Sequence, residues 1–179
     1  MPREFALVTA VPVPSRSGIT HLYQSMHLAD AFAIRLPAGT SGDADVLARF
    51  ILSHQPAWVG WLMTVRDTIV ACFGLKTARY LASLADRVGV FKVYSTHRSE
   101  IVLGEDDKHL DFRISVLCAD EAEPDGSRQL VFSTVVHCHN RLGRAYIFVI
   151  APFHRWVVKA SLARAARVGW PLAGVGATR

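Results

Sequence analysis

Between Gly104 and Arg113 the chain gathers four carboxylates and an imidazole: Glu105, Asp106, Asp107 and Asp111, with His109 among them. Close carboxylates can share a proton or collect a cation, and a histidine beside them suits acid and base work. Glu105, Asp107, His109 and Asp111 are therefore the candidate catalytic groups. The same residues also describe a solvated turn in which Asp106 and Asp107 bond local amides and Arg113 pairs with Asp111 or Glu105; acidic turns of that kind are the commoner case. A second grouping is His137 with His139, which share one face of a strand because residues two apart point alike. Joined by His109 or Asp111 they could hold a metal through imidazole nitrogens. The alternate residues Thr134, Val136 and Cys138 form the more apolar face, however, and a core on that side turns both histidines outward, so no metal and no cofactor is expected. Cys138 reads as a small core residue, since nothing near it in sequence would lower its pKa.

Three further residues, Arg35, Tyr94 and Arg113, fall in strand-like segments and could reach as polar anchors into a mostly apolar pocket. An arginine on a strand is otherwise a surface ion-pair partner. Trp58, Trp61, Phe73 and Tyr146 sit at helical spacing, where they line a cavity mouth or simply fill the core. No Gly-rich phosphate loop, paired-cysteine knuckle, nucleophile elbow or dinucleotide fingerprint is present.

These residues need elements to position them. Asp30 to Leu36 alternates with the period of a half-buried strand and stops at Pro37 and Gly39. Asp43 or Asp45 can cap a helix with Val46, Leu47, Phe50 and Ile51 on one face, and a second helix follows Pro56, carrying Trp58, Leu62, Val65, Ile69 and Phe73 before Gly74. Lys76 to Val88 reads as a short helix or a covering loop. From Val90 to His139 the period becomes two: strands over Phe91–Thr96, Glu100–Gly104 and Leu110–Cys118, then, after the Pro124-Asp125-Gly126-Ser127 turn, Leu130 to His139. Connections this short force antiparallel neighbours. Asn140 then caps a long helix to Arg167, with Leu142, Tyr146, Val149, Phe153, Trp156, Ala160 and Ala163 as the apolar stripe expected to meet the sheet and Pro152 as a kink. The alternative is a strand over Ala145–Ile150.

The 179 residues suit one domain: a flexible leader over 1–20, a domain over 21–170 and a tail over 171–179. Mean hydropathy of +0.24 is high for a soluble chain and points to a generous core, an apolar cavity or a membrane-facing patch. The longest apolar run, Ala145 to Ala151, is far short of the roughly 20 residues of a spanning helix. Cys72, Cys118 and Cys138 are widely separated and read as free thiols of a reducing compartment, so a cytoplasmic location is expected. The net charge of +5 comes from scattered arginines and lysines, which argues against nucleic acid and leaves a weak peripheral membrane contact open.

The run Gly104-Glu105-Asp106-Asp107-Lys108-His109-Leu110-Asp111-Phe112-Arg113 and the later Val135-Val136-His137-Cys138-His139-Asn140-Arg141-Leu142-Gly143-Arg144 resemble a bacterial family of unknown function. That family looks like a branch of the START, polyketide-cyclase and birch-pollen-allergen superfamily. The resemblance runs from about Tyr23 to Arg167 and implies a helix-grip fold with an apolar cavity. The order of elements gives the same class independently: α+β, an antiparallel sheet wrapped around a long C-terminal helix, with two short helices after the first strand. The expected function is binding, as carrier or sensor, of an apolar or amphipathic small molecule or lipid between sheet and helix, with Arg35, Tyr94, Arg113, Trp58, Trp61 and Tyr146 as ligand contacts. The alternative is a cyclase- or hydrolase-type enzyme using the acidic hairpin and His109.

Overall fold

A computed structural model describes residues 7–62, 87–119 and 123–174. Its strands are β1 (Thr9–Val11), β2 (Leu28–Leu36), β3 (Arg87–Val88), β4 (Phe91–Thr96), β5 (Glu100–Asp106), β6 (Leu110–Cys118) and β7 (Arg128–Cys138). Two longer helices, α1 (Ala44–Ser53) and α2 (Arg141–Val168), complete the order among the described residues. All seven strands join one antiparallel sheet in the order β1-β2-β7-β6-β5-β4-β3. The fold is the α+β arrangement that the element order predicts. Of the two helices expected after the strand ending at Leu36, the first is α1 and the second is helical over residues 57–62. The rest of that second helix, with Phe73, and the ambiguous stretch from Lys76 lie outside the described residues as far as residue 86.

Strict alternation sorts the sheet into two faces. Phe32, Ile34, Leu36, Ile101, Leu103, Ile114, Val116, Leu130 and Phe132 face inward and pack with Leu47, Ala48 and Ile51 of α1 and with Val158, Leu162 and Ala165 of α2. Burying each of the larger side chains stabilises the fold by about 1.5–3 kcal/mol. Helix α1 starts where Asp43 accepts hydrogen bonds from the amides of Asp45, 2.9 Å, and Val46, 3.4 Å. The outer face is not bare. Within the stretch read as a flexible leader, β1 is an edge strand paired with β2, and Ile19 is fully buried against Val102 and Val135. The carboxylate of Glu100 ties this segment down, accepting from Ser17 Oγ at 2.6 Å, Ser115 Oγ at 2.5 Å and the Gly18 amide at 3.1 Å.

The long helix begins at Asn140, whose side chain accepts from the Gly143 amide at 3.0 Å, and continues through Pro152 to Val168. The strand alternative over Ala145–Ile150 is thereby excluded. Its orientation differs from the expectation. The buried face is Gly143, Ile147, Val158, Ser161, Leu162 and Ala165, while Leu142, Val149, Phe153 and Trp156 of the expected stripe are exposed. Small residues decide which side approaches the sheet: a Cβ on Gly143 would lie 2.3 Å from the carbonyl oxygen of His109, so only glycine lets the helix start this close to the β5–β6 turn.

Candidate functional site

Four segments converge at one end of the sheet: the β5–β6 turn, the end of β7, the start of β2 and the first turns of α2. The turn is fastened to the helix start. Asn140 Nδ2 lies 2.8 Å from His109 Nδ1, and the His139 amide donates to the His109 carbonyl at 2.9 Å. Because Nδ1 accepts, the imidazole proton of His109 sits on Nε2, which is buried without a partner among the described residues.

On the outer face, Arg113 lies over the ring of Tyr94, 3.7 Å from its centroid, and reaches Asp106 at 2.8 Å. The Tyr94 hydroxyl donates to the other oxygen of Asp106 at 2.7 Å. Both residues are on this face through register, since Gly104 pairs with Arg113 and a bulge between Val93 and Ser95 breaks the β4 ladder at Tyr94. Burial and then the bond to Asp106 push the Tyr94 phenol well above its usual range. Partial burial pushes the Asp106 carboxyl up, but the bonds from Tyr94 and Arg113 outweigh it and hold the group below the ordinary carboxylate value. Next to this trio, Tyr23 stacks on His137 with ring centroids 5.5 Å apart, its hydroxyl buried and without a partner among the described residues. His137 donates from Nδ1 to the Ser25 carbonyl at 2.8 Å, and His139 Nε2 stands 3.1 Å from Asp111.

The expected catalytic residues do not converge. Glu105 turns to the inner side, where it pairs with Arg87 at 2.8 Å. Asp107 accepts from the Lys108 amide at 2.6 Å, and His109 is engaged by Asn140. Arg113 takes Asp106 rather than Asp111 or Glu105. His137 and His139 are neighbours, with centroids 5.3 Å apart, yet among the described residues no group of three or more His, Cys, Asp or Glu side chains is placed to hold a metal. Cys138 is buried, and burial pushes its thiol up.

The expected ligand contacts are also dispersed. Tyr94 and Arg113 meet, but on the face away from α2. Arg35 is exposed at the far end of β2, bound to Asp125 at 2.5 Å and Ser127 at 2.8 Å. Trp58 stacks on Trp156 at 4.4 Å, Trp61 is exposed, and Tyr146 packs at the edge of a cluster formed by Leu28, Leu110, Val136, Cys138 and Ile147.

A groove of about 430 Å³ opens between the start of β2 and the first half of α2. His27, Leu28, Ile147, Phe148, Ala151 and Pro152 line it, with Arg144 and Arg155 on its helical side. Arg155 and His154 flank Asp30, at 3.2 Å and 3.4 Å, whereas Arg144 has no ion-pair partner among the described residues. Pro152 lacks the N–H that would bond the Phe148 carbonyl, so an acceptor on one lining residue is released by another. Of the groove residues only Arg144 falls in a motif run; for the others an acid-free helix with a mid-length proline was the available signal.

His27 links the groove to the histidine pair. Its Nδ1 accepts from the Cys138 amide at 3.1 Å and its ring meets His137 edge-on. Burial first, then the nearby Arg144 and His137, lower its pKa below the ordinary histidine value. A depressed folded pKa gives stability that is present above the unfolded pKa of about 6.5 and lost as pH falls through the folded value. Acidification is therefore expected to release the β2–β7 contact at the groove. A proton NMR titration should find His27 titrating below a model peptide, and His27→Gln should flatten the stability profile beneath about pH 6.5; a normal titration would contradict this.

No curated protein matches the chain at a significant level. Residues 22–161, which include the groove, the acidic hairpin and both histidines, match the family described as "Protein of unknown function (DUF2867)". With most of its length covered by that match, the chain belongs to the DUF2867 family.

Proposed function

We propose that the protein binds an amphipathic anion, a small molecule with an apolar body and a carboxylate or phosphate head, as a carrier or sensor. The groove between β2 and α2 carries this reading. Its walls from Leu28, Ile147, Phe148 and Ala151 would bury the apolar body, and Arg144, with no ion-pair partner among the described residues, would meet the head group. The location, between sheet and C-terminal helix, is where the START-like superfamily resemblance also puts a ligand. A reducing, cytoplasmic setting belongs to the same proposal, and Cys138, a buried free thiol, supports it.

The test is displacement of a fluorescent fatty acid by medium- and long-chain carboxylates and alkyl phosphates, beside native mass spectrometry of the purified protein. Arg144→Ala should weaken binding by about tenfold or more, the value of a charge-assisted hydrogen bond. Ala151→Trp should abolish it by filling the groove while leaving unfolding unchanged. Absence of binding by the wild type across the panel, or equal binding by both variants, would remove the proposal.

A further inference from the structure

Helix α2 turns a second apolar face to solvent. Phe148 is 84% exposed, Val149 59%, Phe153 48% and Trp156 59%, and Leu142 continues the row towards the N-terminus. Leu142, Val149, Phe153 and Trp156, at seven-, four- and three-residue steps, share one side of the helix, opposite the buried Ile147, Val158 and Leu162, and Phe148, next to Val149 in sequence, lies off that row towards the groove. Trp61, 66% exposed, belongs to the segment whose Trp58 stacks on Trp156, and so adds a second indole beside the row. Isolated exposed apolar residues are ordinary; a row of aromatic and aliphatic side chains along one helix is not.

Charge supplies the second observation. From Arg141 to Val168 the helix has six basic residues, Arg141, Arg144, Arg155, Lys159, Arg164 and Arg167, and no aspartate or glutamate. Arg141 and Arg164, both exposed, fall beside the exposed row at helical spacing, whereas Arg155 pairs with Asp30 and the Lys159 ammonium lies over the Phe32 ring. Exposed Trp and Phe beside arginines, on a helix that itself carries no acid, is the composition of an interfacial helix. Such a helix lies in the plane of a membrane, its apolar row among the acyl chains and its basic flank against anionic head groups. Among the described residues no helix is long and apolar enough to cross a membrane, so the contact is peripheral.

We infer that the outward face of α2 docks on an anionic lipid bilayer through Val149, Phe153 and Trp156, with Arg141 and Arg164 reading the surface charge. Val149, Phe153, Arg141 and Arg164 do not line the groove, so this docking stands or falls apart from ligand binding.

Co-sedimentation with vesicles tests it, using phosphatidylcholine alone and phosphatidylcholine with about a third phosphatidylglycerol. Wild-type protein should bind the mixed vesicles about tenfold more tightly than the neutral ones, and high salt should remove most of that difference. The double variant Val149→Ser/Phe153→Ser should weaken binding to both vesicles by about tenfold, since it deletes the inserted apolar area. Arg141→Gln/Arg164→Gln should remove only the preference for anionic lipid; both side chains are exposed and glutamine is a good helix former, so this variant keeps its fold. No binding of the wild type to anionic vesicles would overturn the inference, as would variants that bind as the wild type does. It would equally fall if light scattering showed a wild-type dimer that Val149→Ser/Phe153→Ser dissociates, because the face would then belong to a second copy.

Discussion

Replacing Glu105 by alanine is expected to lower stability by about 3–5 kcal/mol, the largest effect of any single change in the acidic hairpin. Glu105 and Arg87 are both nearly buried, with side chains 11% and 6% exposed, and lie 2.8 Å apart on the inner side of the sheet. Arg87 also donates to the Val90 carbonyl at 2.6 Å, so the guanidinium is anchored from two directions. Removing the carboxylate would leave that cation enclosed without its counter-charge. Arg35→Ala, which removes an exposed pair with Asp125, should cost at most about 1 kcal/mol. Urea unfolding of the two variants measures the contrast. A loss below about 1 kcal/mol for Glu105→Ala would mean the carboxylate is hydrated and free for chemistry.

The second large effect is expected at Glu100. Its carboxylate is the meeting point of two buried hydroxyls and a backbone amide, contributed by Ser17, Ser115 and Gly18. Glu100→Ala would strand the fully buried Ser115 and the nearly buried Ser17 together, at about 1–3 kcal/mol for each unsatisfied group. Because Ser17 and Gly18 are more than eighty residues away in sequence, the loss should be local as well as global. Hydrogen exchange should show Ile19 and Thr20 losing protection before the β5–β6–β7 core, and Ser115→Ala alone should do less. Unchanged protection at residues 17–20 would show that Ile19 and its apolar neighbours hold the segment without the carboxylate.

The strands were readable because each has one buried face: the alternation from Leu110 to Cys118 coincides with β6 at both ends, and turns as short as His97–Ser99 leave only antiparallel neighbours. The start of α2 was readable from Asn140, and its end at Val168 falls one residue past the expected Arg167. Its orientation was not, because apolar residues occupy both sides of the helix. Spacing alone cannot separate Ile147, Val158 and Leu162 from Val149, Phe153 and Trp156, and the choice is made by Gly143, whose missing Cβ admits the His109 carbonyl. The polar site was legible as a set of residues and illegible as an arrangement. Arg113 and Tyr94 do meet, yet the pleat sends them to the face opposite α2, and it sends Glu105 inward while Asp106 goes outward. The groove joins residues 27–28 to 144–155, a juxtaposition created by β2 pairing with β7, and no local pattern could announce it.

The most direct measurement of the central claim is an NMR chemical-shift map of the protein titrated with a long-chain alkyl phosphate or carboxylate that the displacement assay selects. Binding in the groove predicts the largest shifts at His27, Leu28, Ile147, Phe148 and Ala151 and at the Arg144 guanidinium, with little change at Tyr94 and Arg113. Shifts centred on Tyr23, Tyr94 and Arg113, or spread along the exposed row of α2 alone, would contradict it.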